Sequence, residues 1–508
     1  LRKKLCIIVF IGIGFQVFKI KIKKGRLLKK KGQNLMENSN LIFILRTFSA
    51  TENRKFKKWL LSPVHNQRED VVQLYDYLMN GEHLQQDKYL SKERIFSKLF
   101  AGETFDDARI RQTTHFLLKC VEDFLTYEET QTDEVRRRLD LARVYRQRQL
   151  DKLYQKAARQ AEELQQAADY RNAYFLRNEY LLQREHYAFL SEKQKQRAMP
   201  LNLTEMSEAL DRSFVADKLR QACLMLAHQT VYKTEYDMRL LQEVLQYVEQ
   251  KQWLDEPAIG IYYYGYKSTT EREEPAHFEQ LKALIVRFGH QFPTSEARDI
   301  YLMAINYCIA RMNAGAEVFI REAFELYRRG FEQHILIENE TISRWTFLNV
   351  IMIALTLSEF DWAESFIEQY QNFLEETHKD NFVHFSKALL LYEKRDYGPA
   401  MLLLNTADYD DMLINLRSKA LLMKMFYEQD MLDSLESLLE ATRTYMTRKK
   451  VMAYHKAFFS NLVQLTRKLL RINPYDAEQK AKLREEILQA NPLTTKERNW
   501  LLAQLDRK

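Results

Sequence analysis

No glycine or proline occurs between Gly102 and Pro200, and the whole chain of 508 residues holds only 12 Gly and 8 Pro, against a usual combined share of about 12%. Sheets and α/β folds need such punctuation roughly every eight to twelve residues, whereas long antiparallel helices need it only at their ends. The residues that fill the gap, chiefly Leu, Gln, Glu, Lys, Arg, Met and Ala, are good helix formers. The expected fold class is therefore all-α, with helix following helix across caps and short polar turns.

Net charge is +7, but the excess sits in one place: Leu1 to Leu35 holds 9 Lys and 2 Arg with no Asp or Glu, leaving 66 basic and 70 acidic residues in the remainder. A slightly acidic body disfavours nucleic acid as a partner, because non-specific binding draws on phosphate neutralisation. Leu5 to Phe18 is apolar and follows Arg2-Lys3-Lys4, like a signal core or anchor. The run is short of the ~20 residues that span a bilayer, Gln16 and two glycines interrupt it, and a second basic block replaces a cleavage site. Leu1 to Leu35 is read as upstream sequence, with Met36 as the true first residue and a cytoplasmic location; a membrane partner follows only if the segment is native. Gly12-x-Gly14 lacks the third glycine and the strand-to-helix setting of a dinucleotide loop. Cys6, Cys120, Cys223 and Cys308 form no C-x-x-C pair and read as small buried hydrophobes in a reducing compartment.

The body divides into an N-terminal helical module (36–130), long amphipathic helices (131–200), helical repeats (201–470) and capping helices (471–508). Ser49 with Glu52 has capping-box spacing, Phe56, Trp59 and Leu60 share a face of the helix that follows, and Val71, Leu74, Tyr75 and Leu78 repeat at helical spacing. Ser91–Phe100 and Asp107–Tyr127 flank a short turn. Arg109, Arg111, Gln112, Thr113 and Thr114 lie where a helix-turn-helix would read bases, yet Met36 to Thr130 carries 13 basic against 15 acidic residues, so a packed helical hairpin is preferred. Further on, Leu139, Ala142 and Tyr145, then Leu150, Leu153, Tyr154, Ala157, Ala161 and Leu164, then Tyr170, Ala173, Leu176 and Tyr180 form wide apolar stripes. Arg136-Arg137-Arg138 reads as a solvated face. Tyr262, Tyr263, Tyr264 and Tyr266, between Pro257 and Pro275, read as buried between helices. Thr294 and Glu296 are expected to cap and open a helix after Pro293.

The clearest internal signal lies between Trp345 and Thr442. Phe360-Asp361-Trp362-Ala363-Glu364, Tyr397-Gly398-Pro399-Ala400-Met401 and Leu432-Asp433-Ser434-Leu435-Glu436 align, with Asp361, Gly398 and Asp433 expected at helix N-caps and Pro399 at the first helical position. Ala363, Ala400 and Leu435 take a small position, and Ile367, Leu404 and Leu439 a large one four residues on. This pattern resembles the tetratricopeptide repeat, two antiparallel helices recurring about every 34 residues, with a weaker echo at Ala323 to Gly330. The resemblance implies antiparallel pairs stacked into an α-solenoid. It departs in the first helix, whose close-packing position, small in the family, holds Ile351, Ala388 and Met423, so helix separation is expected to vary. As a whole the chain is also similar to helical-repeat proteins of Bacteroidota bacteria, on Phe56–Asn66 (FKKWLLSPVHN), Ala297–Gly315 (ARDIYLMAINYCIARMNAG) and Asn473–Ile487 (NPYDAEQKAKLREEI). That likeness implies a cytoplasmic scaffold and supplies no activity. Thr494 with Glu497 is a further capping box, leading into Trp500, Leu501 and Leu505 as a terminal cap.

No phosphate loop, H-E-x-x-H, G-x-S-x-G elbow or Cys/His set at metal spacing occurs, and His384 reads as a packed residue. No catalytic, cofactor-binding or metal-binding residue is singled out, and no cofactor is expected. The expected function is a non-enzymatic scaffold or adaptor that binds a protein or peptide segment. If the tetratricopeptide register carries over, Tyr392, Arg417, Lys424 and Tyr427 face the binding groove; the same positions read equally as a solvated face. The alternatives are a nucleic-acid-linked regulator using Asp107 to Tyr127 as reader, and an envelope-attached scaffold using the first segment.

Overall fold

The computed structural model describes residues 36, 39–194, 200–232, 234–406, 411–448 and 453–508. The readings placed on Leu1 to Leu35, including Cys6 and the Gly12-x-Gly14 pair, lie outside them. The chain is all-α. Among the described residues there is no strand, only a bridge between Glu338 and Thr341, and helices pack in consecutive pairs. Contacts divide the described chain into two compact units: the part up to Ala167 with Leu181–Leu203, and Ala168–Tyr180 with Thr204–Lys508.

The first unit opens with α1 (Asn40–Leu45), α2 (Ala50–Leu60), α3 (Glu69–Leu78), α4 (Lys92–Leu99) and α5 (Asp107–Thr132). The capping box forms as spelled: Ser49 accepts from the Glu52 N–H at 3.2 Å, and Glu52 accepts from the Ser49 N–H at 2.7 Å. That satisfies two donors a helix start leaves orphaned. Phe56, Leu60, Val71, Leu74, Tyr75 and Leu78 are all buried against α5 residues Ile110, Leu117 and Phe124, so the 3.6-residue period marks the core face. Helix α5 runs five residues beyond Tyr127 to Thr132, where Asp133 begins α6 (Glu134–Gln147) by accepting from the Arg136 N–H.

Helices α6 and α7 (Asp151–Gln166) pair on small residues, Ala142, Ala157 and Ala161. Leu150 and Leu153 are 41% and 44% exposed, which corrects the wide stripe expected there. Alanine seams let two backbones approach closely, and a close approach covers a narrow strip, so the stripe's edge stays outside. Tyr170, in the second unit, is likewise exposed. Arg136 pairs with Asp140 at 3.4 Å, and Arg137 and Arg138 face solvent. α8 (Ala173–Gln194) gives its later part to this unit, where Glu185 accepts from Arg146 Nε at 2.7 Å.

The second unit continues with α9 (Leu203–Tyr232), α10 (Leu241–Lys251), α11 (Pro257–Thr270), α12 (Pro275–Phe288), α13 (Thr294–Asn313), α14 (Val318–Glu332), α15 (Arg344–Thr356), α16 (Phe360–Tyr370), α17 (Glu376–Glu393), α18 (Tyr397–Thr406), α19 (Met412–Glu428), α20 (Leu432–Arg448), α21 (Ala453–Arg471), α22 (Ala477–Gln489) and α23 (Thr495–Arg507). From α11 to α20 each helix packs against the next, and α15, α17, α19 and α21 also pack in series, a helical-repeat array. Tyr262 and Tyr263 are buried and Tyr264 and Tyr266 half-buried. The aligned positions share their surroundings: Ala363, Ala400, Leu435, Ile367, Leu404 and Leu439 are all buried, as are Ala323 and Tyr327 of the echo. Helix α17, which carries Ala388, packs more extensively against α18 than α15, which carries Ile351, does against α16.

The repeat is punctuated differently from the expectation. Helices α16, α18 and α20 begin at Phe360, Tyr397 and Leu432, so Asp361, Gly398 and Asp433 sit inside the first turn rather than at the N-cap, and Pro399 is third, not first. Each start is preceded, two residues earlier, by a left-handed residue: Ser358 (φ 60°), Arg395 (φ 64°) and Asp430 (φ 53°). Immediately after it the Glu359, Asp396 and Met431 N–H groups donate to the carbonyls of Ala354, Leu391 and Phe426 at 3.0, 2.9 and 2.9 Å. That bond, from C″ back to C3, ends a helix in the Schellman manner, and it takes over the role the sequence assigned to side-chain caps. Asp361 and Asp433 still act on the helix dipole from the first turn. At α13 too the helix begins at Thr294, without a side-chain cap.

Candidate functional site

Successive first helices of the array bring their side chains into one row, and a partly open pocket of about 150 Å³ lies where α15, α17, α19 and α21 meet the start of α23. Its wall is apolar, with Phe385, Leu389, Leu421, Phe458 and Phe459, and five charged side chains and His455 edge it. Lys424 reaches Glu497 Oε1 at 3.3 Å, and Lys496 pairs with Glu393 at 2.5 Å. Arg417 donates from Nη1 to the Met352 sulfur at 3.4 Å. Burial pulls the Arg417 guanidinium below its ordinary value, against the raising influence of Glu497 and Asp411; guanidinium nonetheless stays charged. Burial, and then the charge of Arg417, push the His455 imidazole down, leaving it neutral at pH 7.

Three of the four positions expected to face a groove therefore line this pocket: Tyr392, Arg417 and Lys424. Two of them are closed rather than open. Lys424 is 5% exposed, and the Tyr392 hydroxyl donates to Glu428 Oε1 at 2.9 Å. Tyr427 turns away: its ring meets Trp500 edge-on, with centroids 5.5 Å apart, and its buried hydroxyl finds no hydrogen-bond partner among the described residues. The capping helix is the reason. α23 lays Trp500 and Glu497 across these positions, a contact between stretches about seventy residues apart. Thr494 does accept from the Glu497 N–H, but the Glu497 carboxylate that would complete a capping box is spent on Lys424. His455, Phe458, Phe459 and Lys496 were missed because they lie outside the aligned repeats, where no register points to them.

A second pocket, of about 170 Å³, lies on α9, α11 and α13. Two of its lining residues, Tyr262 and Arg220, reach Glu296, which is 5% exposed and accepts from Tyr262 Oη at 2.6 Å and Asn172 Nδ2 at 2.8 Å, with Arg220 Nε at 3.4 Å. Glu296 is thus buried in a network rather than left at the helix start for the dipole. Asp299 lines the pocket, its carboxyl pushed up by burial against the pull of Arg298 and Arg220. Cys223 donates to the Tyr262 carbonyl at 3.3 Å, and burial pushes its thiol up to about 12. A thiol held protonated is a poor nucleophile.

In the first unit the five residues weighed as base readers divide. Arg109 lies 3.7 Å over the Phe100 ring and pairs with Glu103; Thr113 is buried and donates to Asp70 Oδ2 at 2.8 Å; Thr114 donates to the Ile110 carbonyl. Arg111, paired with Asp107 at 2.9 Å, and Gln112 face solvent. Two readers, one already bridged to an acid, make a small footprint.

Among the described residues no group of three or more His, Cys, Asp or Glu is placed to hold a metal ion, and no helix is long and apolar enough to cross a membrane. No family model, curated protein or solved structure matches this chain. His384 is half-buried on α17 between buried Phe382 and Phe385.

Proposed function

We propose that the chain is a non-enzymatic scaffold or adaptor that holds a protein or peptide segment on its helical-repeat surface, in the cytoplasm. One observation supports this most: the two apolar pockets described above are walled by alternate helices of the array, so one extended segment can engage several pairs at once, as stacked repeats allow. The pair spacing resembles the tetratricopeptide register, in which Tyr392, Arg417, Lys424 and Tyr427 belong to the binding face. Cys120, Cys223 and Cys308 are all free, which suits a reducing compartment. The balance of 66 basic and 70 acidic residues beyond Leu35 favours a protein over a polyphosphate.

Affinity purification of the full chain followed by mass spectrometry tests the reading, with two variants run beside it. Arg417→Glu with Lys424→Glu reverses charge at one pocket, and Asn306→Arg crowds the other. At least one protein should be enriched on the parent chain and lost on a variant whose helical spectrum is unchanged. Partners that stay bound to both variants would remove the assignment of this face, and an empty capture would remove the adaptor reading.

A further inference from the structure

We infer that the pocket on α9, α11 and α13 binds a small organic monoamine, a single ammonium on an apolar body, with the Asp299 carboxylate as its counter-ion. Size comes first. About 170 Å³ takes one aromatic ring or a short alkyl chain. The wall suits such a body, with Leu224, Ala227, Ile300, Met303 and the Tyr307 ring offering apolar contact. Most hydroxyls of the lining are already engaged. Thr230 and Thr269 donate to the Leu226 and Gly265 carbonyls one turn back on their own helices, Tyr262 donates to Glu296, and Tyr307 donates to the Arg272 carbonyl.

Charge comes second. Among the described residues the Asp299 carboxylate accepts no hydrogen bond and makes no salt bridge, and burial pushes it up against the pull of Arg298 and Arg220. Both guanidinium groups are held by other acids. Arg298 spans Glu338 through two nitrogens, at 2.7 and 2.8 Å, and Arg220 stands 3.4 Å from Glu296. At this end of the pocket three carboxylates, Asp299, Glu296 and Glu338, therefore face two guanidinium groups, an excess of one negative charge. A half-buried carboxylate without protein donors is costly, and a bound ammonium supplies both the missing donors and the missing charge. The far end carries the other sign. Arg272 is fixed there by its Nε, which donates to the Thr269 carbonyl at 3.0 Å, and its own carbonyl accepts from Tyr307. Tyr307 lies just over two turns beyond Asp299 on α13, about 12 Å of helix, whereas salt screens exposed charge over ~8 Å. Arg272 thus leaves Asp299 uncancelled, yet it selects. A diamine would bring its second ammonium toward Arg272, so a monocation is the class that fits.

The site goes beyond the adaptor reading and fails separately from it, since one is read with purified components and the other with captured proteins. Calorimetric titration of the full chain with 2-phenylethylamine and hexylamine, against 2-phenylethanol, hexanol and 1,6-diaminohexane, tests it. At least one monoamine should bind one per chain, and its matched alcohol about tenfold or more weakly, the loss expected for a charge-assisted contact. The diamine should bind more weakly than the better monoamine. Asp299→Asn keeps the shape of the side chain and has no hydrogen bond to lose, so it should fold; it should bring the amine down to the affinity of its alcohol and leave the alcohol unchanged. Ala227→Phe, which fills the pocket without touching a charge, should weaken both, and it serves if Asp299→Asn does not fold. No binding by either monoamine, equal binding of amine and alcohol, a diamine that binds most tightly, or an amine preference that survives Asp299→Asn with an unchanged helical spectrum overturns the assignment. So does a short peptide with an internal lysine that outbinds the monoamines and loses that advantage on Asp299→Asn, since the site would then belong to a partner's side chain.

Discussion

Glu428, near the end of α19, accepts the indole N–H of Trp500 at 2.7 Å and so ties the repeat array to its last helix. The same carboxylate accepts from the Tyr392 hydroxyl at 2.9 Å and from Arg395 Nη1 at 2.6 Å, and it also bonds the Tyr397 hydroxyl. One side chain thus gathers α17, α18, α19 and α23. A buried acceptor with all its partners in place rigidifies a core, and one removed leaves several donors stranded.

Replacing Glu428 by Ala should therefore cost about 3 kcal/mol or more of stability, measured by urea unfolding. The acid limb offers a second reading. Burial acts to raise the Glu428 pKa, but hydrogen bonds from Tyr397, Trp500 and Tyr392 and the charge of Arg395 outweigh it, so the net shift is downward. A carboxylate depressed in the folded state stabilises above its unfolded pKa and loses that contribution as pH falls through the folded one. The parent chain should lose more stability than Glu428→Gln on acidification below the ordinary carboxylate range; parallel acid limbs would refute this.

The left-handed turns carry a second prediction. Ser358 holds φ at 60° and Asp430 at 53°, a conformation that costs a residue with a Cβ roughly 1–2 kcal/mol and glycine nothing beyond its unfolded-state entropy. Ser358→Gly should raise the melting temperature, with a net gain of up to about 1 kcal/mol. Asp430→Gly should gain less, because aspartate visits this region more readily.

Close approach governs a third. A Cβ on Gly260 would stand 2.1 Å from the Leu254 carbonyl oxygen, whereas one on Gly265 would meet the terminal methyl of Met303 at 2.2 Å. Backbone cannot move aside as a methionine end can. Gly260→Ala should destabilise by about 2 kcal/mol or more and Gly265→Ala by clearly less; the reverse order in thermal unfolding would contradict the packing described.

Thiol reactivity supplies a fourth. Burial pushes Cys223 up to about 12 and raises Cys120 and Cys308 as well. At pH 7.5 none of the three should take up iodoacetamide in the native chain over minutes, and all three should react once denatured, as read peptide by peptide in a mass spectrometer. Rapid native labelling of Cys223 would mean that its helix opens.

Local pattern alone determined which stretches are helical and which face of each is apolar. Val71, Leu74, Tyr75 and Leu78 could be read straight to the core, and Ser49 with Glu52 straight to a cap, because periodicity and capping act within a turn or two of one helix. The repeat at Phe360, Tyr397 and Leu432 was legible for the same reason. Tertiary structure decided everything that two distant stretches settle between them. The reversal at Ser358, Arg395 and Asp430 had no glycine to announce it, since packing of the pair on either side enforces a φ that local preference opposes. Glu497 was spelled as half of a capping box and went to Lys424, and Tyr427 turned from the expected face to Trp500, because burying α23 over the array outweighs a single exposed hydrogen bond at a helix end. Leu150 and Leu153 stayed outside because the alanine seam beside them sets how near the next helix can come, and a stripe's width does not reveal the distance to its neighbour.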